Sequence, residues 1–391
     1  MSAMKRLFQL MAEKKASDIF MSVGSPINIK INGVAVPVNQ QIMNSESVIS
    51  LLYEVLTEKQ KKVYEESLEL NTGFAMPPVG TFRISAFRQK GSPAVVVRYI
   101  PGTVPSIESL NVPDVLKEVI MEKRGLVLMV GATGSGKSTT LAAMLDYRNE
   151  QKPGHILTIE DPVEFLFQNK KCIVNQREVG TDTLDFRIAL KNALRQAPDC
   201  ILIGEIRDRD TMAAAIAYAQ SGHLCLATLH ANNSYHALNR IISFYPLENR
   251  PALLEDLSAT MKCIISQRLI RNVKGGRSPC VEVLLSTRHI AELIGKGEIN
   301  EIKEAMEKSL SPGSKTFEQA LFDMLLKGLI TQEEALANAD SATNLLWLIN
   351  NTEAGAALRK PGESAEKAEQ KPAPGGGASF SEFKLDMGAT T

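Results

Sequence analysis

Residues Gly131-Ala-Thr-Gly-Ser-Gly-Lys-Ser138 place two glycines around a four-residue spacer, with Lys137 and Ser138 directly behind the second. An apolar run, Gly125-Leu-Val-Leu-Met-Val130, leads in, and a helical run, Thr139-Thr-Leu-Ala-Ala-Met-Leu145, leads out. Strand, glycine turn and helix in that order describe the first βα unit of a parallel sheet, with the turn at the strand's C-terminal end. Glycines let successive backbone N–H groups converge on phosphate oxygens, and the helix N-terminus adds a favourable dipole. Lys137 is then expected to reach the β and γ phosphates, and the Ser138 hydroxyl to ligate Mg²⁺. The candidate nucleotide-binding set is Gly131, Ala132, Thr133, Gly134, Ser135, Gly136, Lys137, Ser138 and Thr139.

The chain around this motif is long enough, at 391 residues, to expect more than one domain. Beyond residue 115, strand-like runs at Leu126–Val130, His155–Ile159, Cys200–Ile203 and Leu224–Leu229 alternate with helical ones, the pattern of a parallel sheet with crossover helices. From Arg288 to Asn350 the pattern is helical. The first hundred residues read differently, as a small α+β unit. A helix over Ser2–Lys15 precedes strands at Ile19–Val23 and Ile27–Val38, the second folded at Asn32-Gly33, a dipeptide suited to a two-residue turn. Helical patterns over Ser45–Glu66 come before a second hairpin, Gly80–Phe87 and Val95–Tyr99 around Gly91.

The expected organisation is therefore an α+β domain at 1–104, a Pro/Gly-marked linker at 105–114, and a nucleotide-binding α/β domain with C-terminal helices at 115–353. A tail at 354–391 follows, poor in large apolar residues and expected to be disordered. Within the tail, Ser379-Phe-Ser-Glu-Phe-Lys-Leu385 reads either as solvated chain or as a short docking peptide.

Carboxylates are needed beside a phosphate loop to hold metal and orient water. Ile159-Glu-Asp-Pro-Val-Glu164 follows one strand, and Asp199-Cys-Ile-Leu-Ile-Gly-Glu205 is an apolar strand ending in an acid. In the second, Gly204 stands where the aspartate of such strands is usual, and Glu205 follows it. His223 and His230 bracket a third strand seven residues apart, an odd step that turns them to opposite faces and argues against a shared metal. His230, at the strand's end, is placed to sense a γ-phosphate. Glu205 is the candidate for polarising the attacking water, with Glu164 supporting the metal or that water.

Taken in order, Gly131–Thr140, Thr158–Phe165, Leu194–Arg207 and Gly222–His230 resemble the Walker A, Asp box, atypical Walker B and His box of the secretion and pilus ATPases. Ala16-Ser-Asp-Ile-Phe20, the Arg83/Arg98 hairpin and the lack of paired C-x-x-C motifs are similar to the type IV pilus retraction branch, the PilT/PilU type. The Ala-Ile-Arg-Asn-Leu-Ile signature of the founding PilT type is matched here by His289-Ile-Ala-Glu-Leu-Ile294 without the Arg-Asn pair. Ala132 and Phe20 also depart from the PilT pattern, and together these point to the accessory PilU side. The resemblance implies a PAS-like first domain, a RecA-like P-loop second domain, and a homohexamer with ATP held between one subunit's second domain and its neighbour's first. In that arrangement Arg83 and Arg98 act in trans. It also implies ATP and Mg²⁺ as cofactors, with a PilT-type motor and an inner-membrane pilus platform protein as partners.

Charge and cysteine content set the remaining bounds. Lys plus Arg and Asp plus Glu are both 44, a formal net charge of zero, which argues against coating nucleic acid or anionic lipid. Residues 1–104 carry 12 basic and 8 acidic side chains, too small an excess for a phosphate-tracking stripe, so a RecA-like nucleic-acid motor is the lesser alternative. A ring that binds ATP and bridges the pilus machinery, with incidental hydrolysis, is the other. Five cysteines without a C-x-x-C pair fit a reducing compartment. With no run of about 18 apolar residues, the expected location is cytoplasmic, peripheral to the inner membrane through protein partners, with no insertion into the membrane.

Overall fold

The structure, a computed structural model, describes residues 2–31, 33–309 and 311–356. Helix α1 (Ala3–Lys14) opens the chain, its N-cap Ser2 accepting from the Lys5 N–H. Strands β1 (Asp18–Ser22), β2 (Asn28–Ile31) and β3 (Val34–Pro37) follow, then helices α2 (Ser45–Tyr53) and α3 (Glu58–Ser67). Strands β4 (Leu70–Met76), β5 (Gly80–Gln89) and β6 (Ser92–Pro101) complete an antiparallel sheet of order β3-β2-β1-β6-β5-β4. Both expected hairpins are present. Ile31 pairs with Val34, and Gln89 with Ser92 across Lys90-Gly91, whose φ values of 48° and 75° make the left-handed turn that suits twisted strands. Met4, Phe8 and Met11 of α1 pack with Val48 and Leu52 of α2 onto Ile19, Phe82, Ile84, Val95 and Val97. Phe8 stacks on Phe82 with ring centroids 4.0 Å apart.

The expected linker is not a free span. Residues Ile107–Leu110 form one 3-10 turn, and Ile107 is buried in the same apolar cluster as Leu116 and Met144. Helix α4 (Val115–Met121) leads to β7 (Gly125–Val130), α5 (Lys137–Gln151), β8 (Gly154–Glu160) and β9 (Cys172–Glu178). Then come α6 (Phe186–Ala193), β10 (Cys200–Ile203), α7 (Arg209–Gln220), β11 (Leu224–Leu229), α8 (Ser234–Ser243) and α9 (Arg250–Thr260). Strands β12 (Met261–Arg271) and β13 (Arg277–Leu285) close a seven-stranded sheet of order β13-β12-β7-β11-β10-β8-β9. All its neighbours are parallel except the β12–β13 hairpin at one edge.

Apolar clusters cover both faces of this sheet, as a parallel sheet requires. The five cysteines fall one to a strand, Cys172 on β9, Cys200 on β10, Cys225 on β11, Cys263 on β12 and Cys280 on β13, and all are buried. Helices α10 (Arg288–Lys296), α11 (Ile302–Glu307), α12 (Phe317–Leu326), α13 (Gln332–Asn338), α14 (Ala342–Asn351) and α15 (Glu353–Ala356) end the described chain. Of these, α12–α14 build a separate small core with Ile270 of β12 and Cys280 of β13. Residues 357–391, including the Ser379–Leu385 segment, lie outside the described residues, and none of the described helices is long and apolar enough to cross a membrane.

Candidate functional site

Strand β7 lies between β11 and β12, so its C-terminal end delivers the glycine loop to the middle of the sheet's ligand-binding edge. Gly136 caps α5 at φ 85°, in the left-handed region, and a Cβ there would stand 2.8 Å from the Gln267 amide nitrogen. Glycine is required on both counts. Behind the loop, Gln267 of β12 donates from Nε2 to the Ser135 carbonyl at 2.8 Å and accepts from the Thr140 hydroxyl at 2.8 Å. Lys137 is buried and donates to the carbonyls of Gly131 at 2.7 Å and Ala132 at 3.0 Å. Burial pulls its ammonium below the ordinary lysine value, opposed by the charges of Glu205 and Glu164.

A cleft of about 180 Å³ brings the sequence-derived residues together: Lys137, Ser138, Glu164, Glu205 and His230 all line it. The acids stand where two strands end, Glu160 and Glu164 after β8 and Glu205 after β10. Glu160, the last residue of β8, is buried, and its Oε1 accepts from the Thr158 hydroxyl at 2.6 Å. Burial raises its pKa above the usual carboxylate range, against the hydrogen bonds from Thr158 and the Glu164 N–H. Glu205 follows β10. Its Oε2 accepts from Arg207 Nε at 2.7 Å, and its Oε1 lies 3.3 Å from His230 Nε2. Burial first, and the Lys137 charge second, lower the His230 pKa, so the imidazole is held toward its neutral form.

The displaced aspartate of the β10 motif has a steric reason. Gly204 donates its N–H to the Ile159 carbonyl, and a Cβ on it would meet the Glu160 Cα at 3.1 Å and the Ile159 oxygen at 3.2 Å. Two adjoining strands pass so closely here that a side chain would press on backbone. The acid of this element consequently comes one residue later, on the loop.

Within one chain the two arginines are placed differently from each other. Arg83 on β5 and Arg98 on β6 are direct register partners, and Asp18 on β1 continues the same row. Arg83 reaches its own chain's site: Nη2 donates to the Pro162 carbonyl at 3.2 Å and lies 3.6 Å from Glu164. Two cations facing each other repel, and Arg98 is drawn instead to Asp18, its Nε 3.0 Å from Oδ1. The structure thus unites Arg83 with the cleft in cis and leaves Arg98 one strand away.

Three residues of the site are absent from the sequence-derived set. Glu160 lies four residues before Glu164 in the same acid-rich stretch. Arg207 orients Glu205 from two residues downstream. Gln267 lies more than a hundred residues from the loop it holds. Its one local signal is a polar Ser266-Gln-Arg268 step inside the apolar run Cys263–Ile270.

The all-oxygen donor set of Ser138, Glu160 and Glu164 suits a hard divalent cation such as Mg²⁺. The Ser135 hydroxyl is buried within the loop with no partner, which fits an anion in the cradle. Among the described residues no cluster of three or more His, Cys, Asp or Glu side chains could hold a metal alone, and a cation at this place would take most of its ligands from phosphate oxygens and water.

The chain matches the family described as "Type II/IV secretion system protein" over residues 2–337. It is 47% identical over 346 residues to the Type IV pilus ATPase PilU of Pseudomonas aeruginosa, covering 88% of this chain and 91% of that one. To the Type IV pilus retractation ATPase PilT of the same organism it is 41% identical over 338 residues, covering 86% and 98%. Among solved structures, the pilus retraction motor PilT with bound ADP superposes with a TM-score of 0.82 at 36% identity, covering 88% of this chain and 99% of that chain.

Proposed function

The chain belongs to the type II/IV secretion system protein family, as an ATPase of the PilT/PilU type, and from that premise we propose that it is a Mg²⁺-dependent, ring-forming motor that drives or assists pilus retraction. The observation that carries the reading is the cleft uniting Lys137, Ser138, Glu164, Glu205 and His230 at one sheet edge.

Lys137 now rests on two neutral carbonyls. Phosphate oxygens offer it charged acceptors whose bonds are roughly twice as strong, so substrate draws the ammonium off the loop. Ser138, Glu160 and Glu164 would hold Mg²⁺, which would supply positive charge to neutralise that developing on the phosphoryl oxygens. Of the carboxylates in the cleft, Glu205 is the one that Arg207 orients with its other oxygen toward His230, and it is assigned to accept a proton from the attacking water. Held neutral, His230 can donate one hydrogen bond to a γ-phosphate without being an ion. Arg83 contributes positive charge at the cleft's edge.

The subunits form a homohexamer that works alongside a PilT-type motor, at an inner-membrane platform protein and on its cytoplasmic side. The stretch His289–Ile294 supports an accessory part. Ile290, Leu293 and Ile294 are buried on α10, whereas Glu292 is exposed and paired with Arg288 at 3.0 Å. Of the two positions lacking the Arg-Asn pair, Ala291 is half-buried and Glu292 exposed, so the change alters a surface at Glu292.

Lys137→Ala should abolish ATP turnover while leaving the circular dichroism of the fold unchanged. Hydrolysis by that variant at the wild-type rate would refute the site. For the motor role, a strain carrying Glu205→Ala with its PilT-type partner intact should retract pili poorly under load. Normal retraction would favour a bridging ring.

A further inference from the structure

Strand β12 outruns β7: their pairing ends at Ser266↔Val130, where the glycine loop begins. The next two residues point to opposite sides, as successive strand residues must. Gln267 turns to the loop, as described above. Arg268 turns to the C-terminal helices, its guanidinium 3.9 Å from the Phe317 ring centroid on α12, and Nη1 donates to the Asn338 carbonyl at the end of α13 at 2.7 Å.

The same guanidinium also reaches the segment that leaves the nucleotide site. Nη2 donates to the Asn232 carbonyl at 3.2 Å, two residues beyond His230, and pairs with Asp340. The second oxygen of Asp340 accepts from Asn233 Nδ2 at 2.7 Å. Asn233 is itself the N-cap of α8, its side chain accepting from the His236 N–H. Arg268, Asn232, Asn233 and Asp340 therefore close a ring of charge-assisted bonds between the His230 segment and the connection from α13 to α14. A buried carboxylate backs the ring: Glu282 Oε1 accepts from the Ser234 N–H and hydroxyl, each at 2.8 Å, and from the Ser266 hydroxyl at 3.0 Å.

We propose that Arg268 is a positioning residue that couples the γ-phosphate state read at His230 to the helices α12–α14. This rests on the nucleotide reading of the cleft. A shift of the His230 segment moves the Asn232 carbonyl and Asn233. Arg268 and Asp340 hold both to α13–α14, so the helical unit must follow or its ring must open. The small core of α12–α14 moves as a body because Phe317, Leu321, Leu345 and Ile349 are packed together. Arg268 touches neither substrate nor metal in this scheme; it transmits.

The test is hydrogen exchange on the full-length protein, following peptides from residues 332–351 with and without ATPγS, with nucleotide affinity measured in parallel. Coupling energies between sites are commonly 1–3 kcal/mol, so wild-type exchange in this segment should change about tenfold on binding. In Arg268→Met, ATPγS should still bind, and the nucleotide-dependent change should shrink below about twofold. Asp340→Asn, nearly isosteric, should reproduce the loss and serves if Arg268→Met fails to fold, and Arg268→Lys should restore only part of the response because it lacks the planar fork. A merely structural role would speed exchange equally in both states and leave the nucleotide-dependent difference intact, which would overturn the proposal. So would a wild type that binds ATPγS without any change at 332–351. A wild type that does not bind ATPγS would overturn the nucleotide reading itself, and with it the coupling.

Discussion

Gln267→Leu isolates the grip that β12 has on the glycine loop. Gln267 and Thr140 are only 2% and 1% exposed, so no water can replace the amide. Leucine keeps the approximate size but orphans the Thr140 hydroxyl and the Ser135 carbonyl, at about 1–3 kcal/mol for each buried group. Burying the leucine instead returns about 1–2 kcal/mol. The net loss is about 0–5 kcal/mol, centred on about 2.5 kcal/mol, and for a unit of this size about 2–4 °C of Tm per kcal/mol is expected. A fall near 5–10 °C in the nucleotide-free protein is the central expectation, read by calorimetry.

A second substitution sharpens the result. Thr140→Val destabilises the wild type, because it removes a hydrogen-bond partner, yet it should restore about 1–2 kcal/mol in the Gln267→Leu background by deleting the orphan. The Michaelis constant for ATP should rise several-fold as the loop loses its preset geometry. A Tm unchanged within about 1 °C, or equal destabilisation by Thr140→Val in both backgrounds, would refute the reasoning.

Other outcomes follow from the same geometry. Mixing Arg83→Met with Lys137→Ala subunits should restore no ATPase activity, since an arginine acting in cis leaves every site defective; recovery would place the arginine across the subunit boundary. Gly204→Ala pushes a Cβ against the backbone of Glu160 and Ile159, so it should lower stability by about 1–3 kcal/mol in a urea melt, and an unchanged midpoint would count against the steric account. The folded-state pKa of His230 lies below its unfolded value, so the unfolded chain takes up the proton first. Its contribution to stability is complete above about pH 6.5 and declines as pH falls. His230→Gln should flatten that slope, as read from Tm across pH 5–8, and an equal slope in the variant would contradict it.

Local chemistry made much of this molecule readable in advance. The glycine loop, the acid-ended strand at Cys200–Glu205 and both hairpins depend on residues adjacent in sequence, where turn conformation and periodicity act directly. Strands β9, β12 and β13 did not stand out. In β9, Cys172-Ile-Val-Asn-Gln-Arg-Glu178 is mostly polar because it is a sheet edge. The β12–β13 hairpin interrupts the βα alternation. The roles of Gln267, Arg268 and Arg83 were illegible for one shared reason, that each is set by a partner far along the chain. Gln267 meets the loop across 132 residues, Arg268 meets Asp340 across 72, and Arg83 meets Pro162 across 79. The conflict between Arg83 and Arg98 shows the same limit. Equivalent in sequence, they are separated by Asp18, which claims one of them.

The row of buried thiols has a practical side. Desolvation pushes Cys200 and Cys280 up to about 12 and raises Cys172, Cys225 and Cys263 as well, so at neutral pH scarcely any thiolate exists and none is accessible. Maleimide dyes and nitroxide spin labels attack thiolates at surfaces. The native protein should therefore be silent to both, and a cysteine introduced at an exposed place such as Trp347 or Leu184 would be the one reactive handle among the described residues. Distances between reporters on α14 and on the first sheet could then be followed through a catalytic cycle in an otherwise unaltered chain.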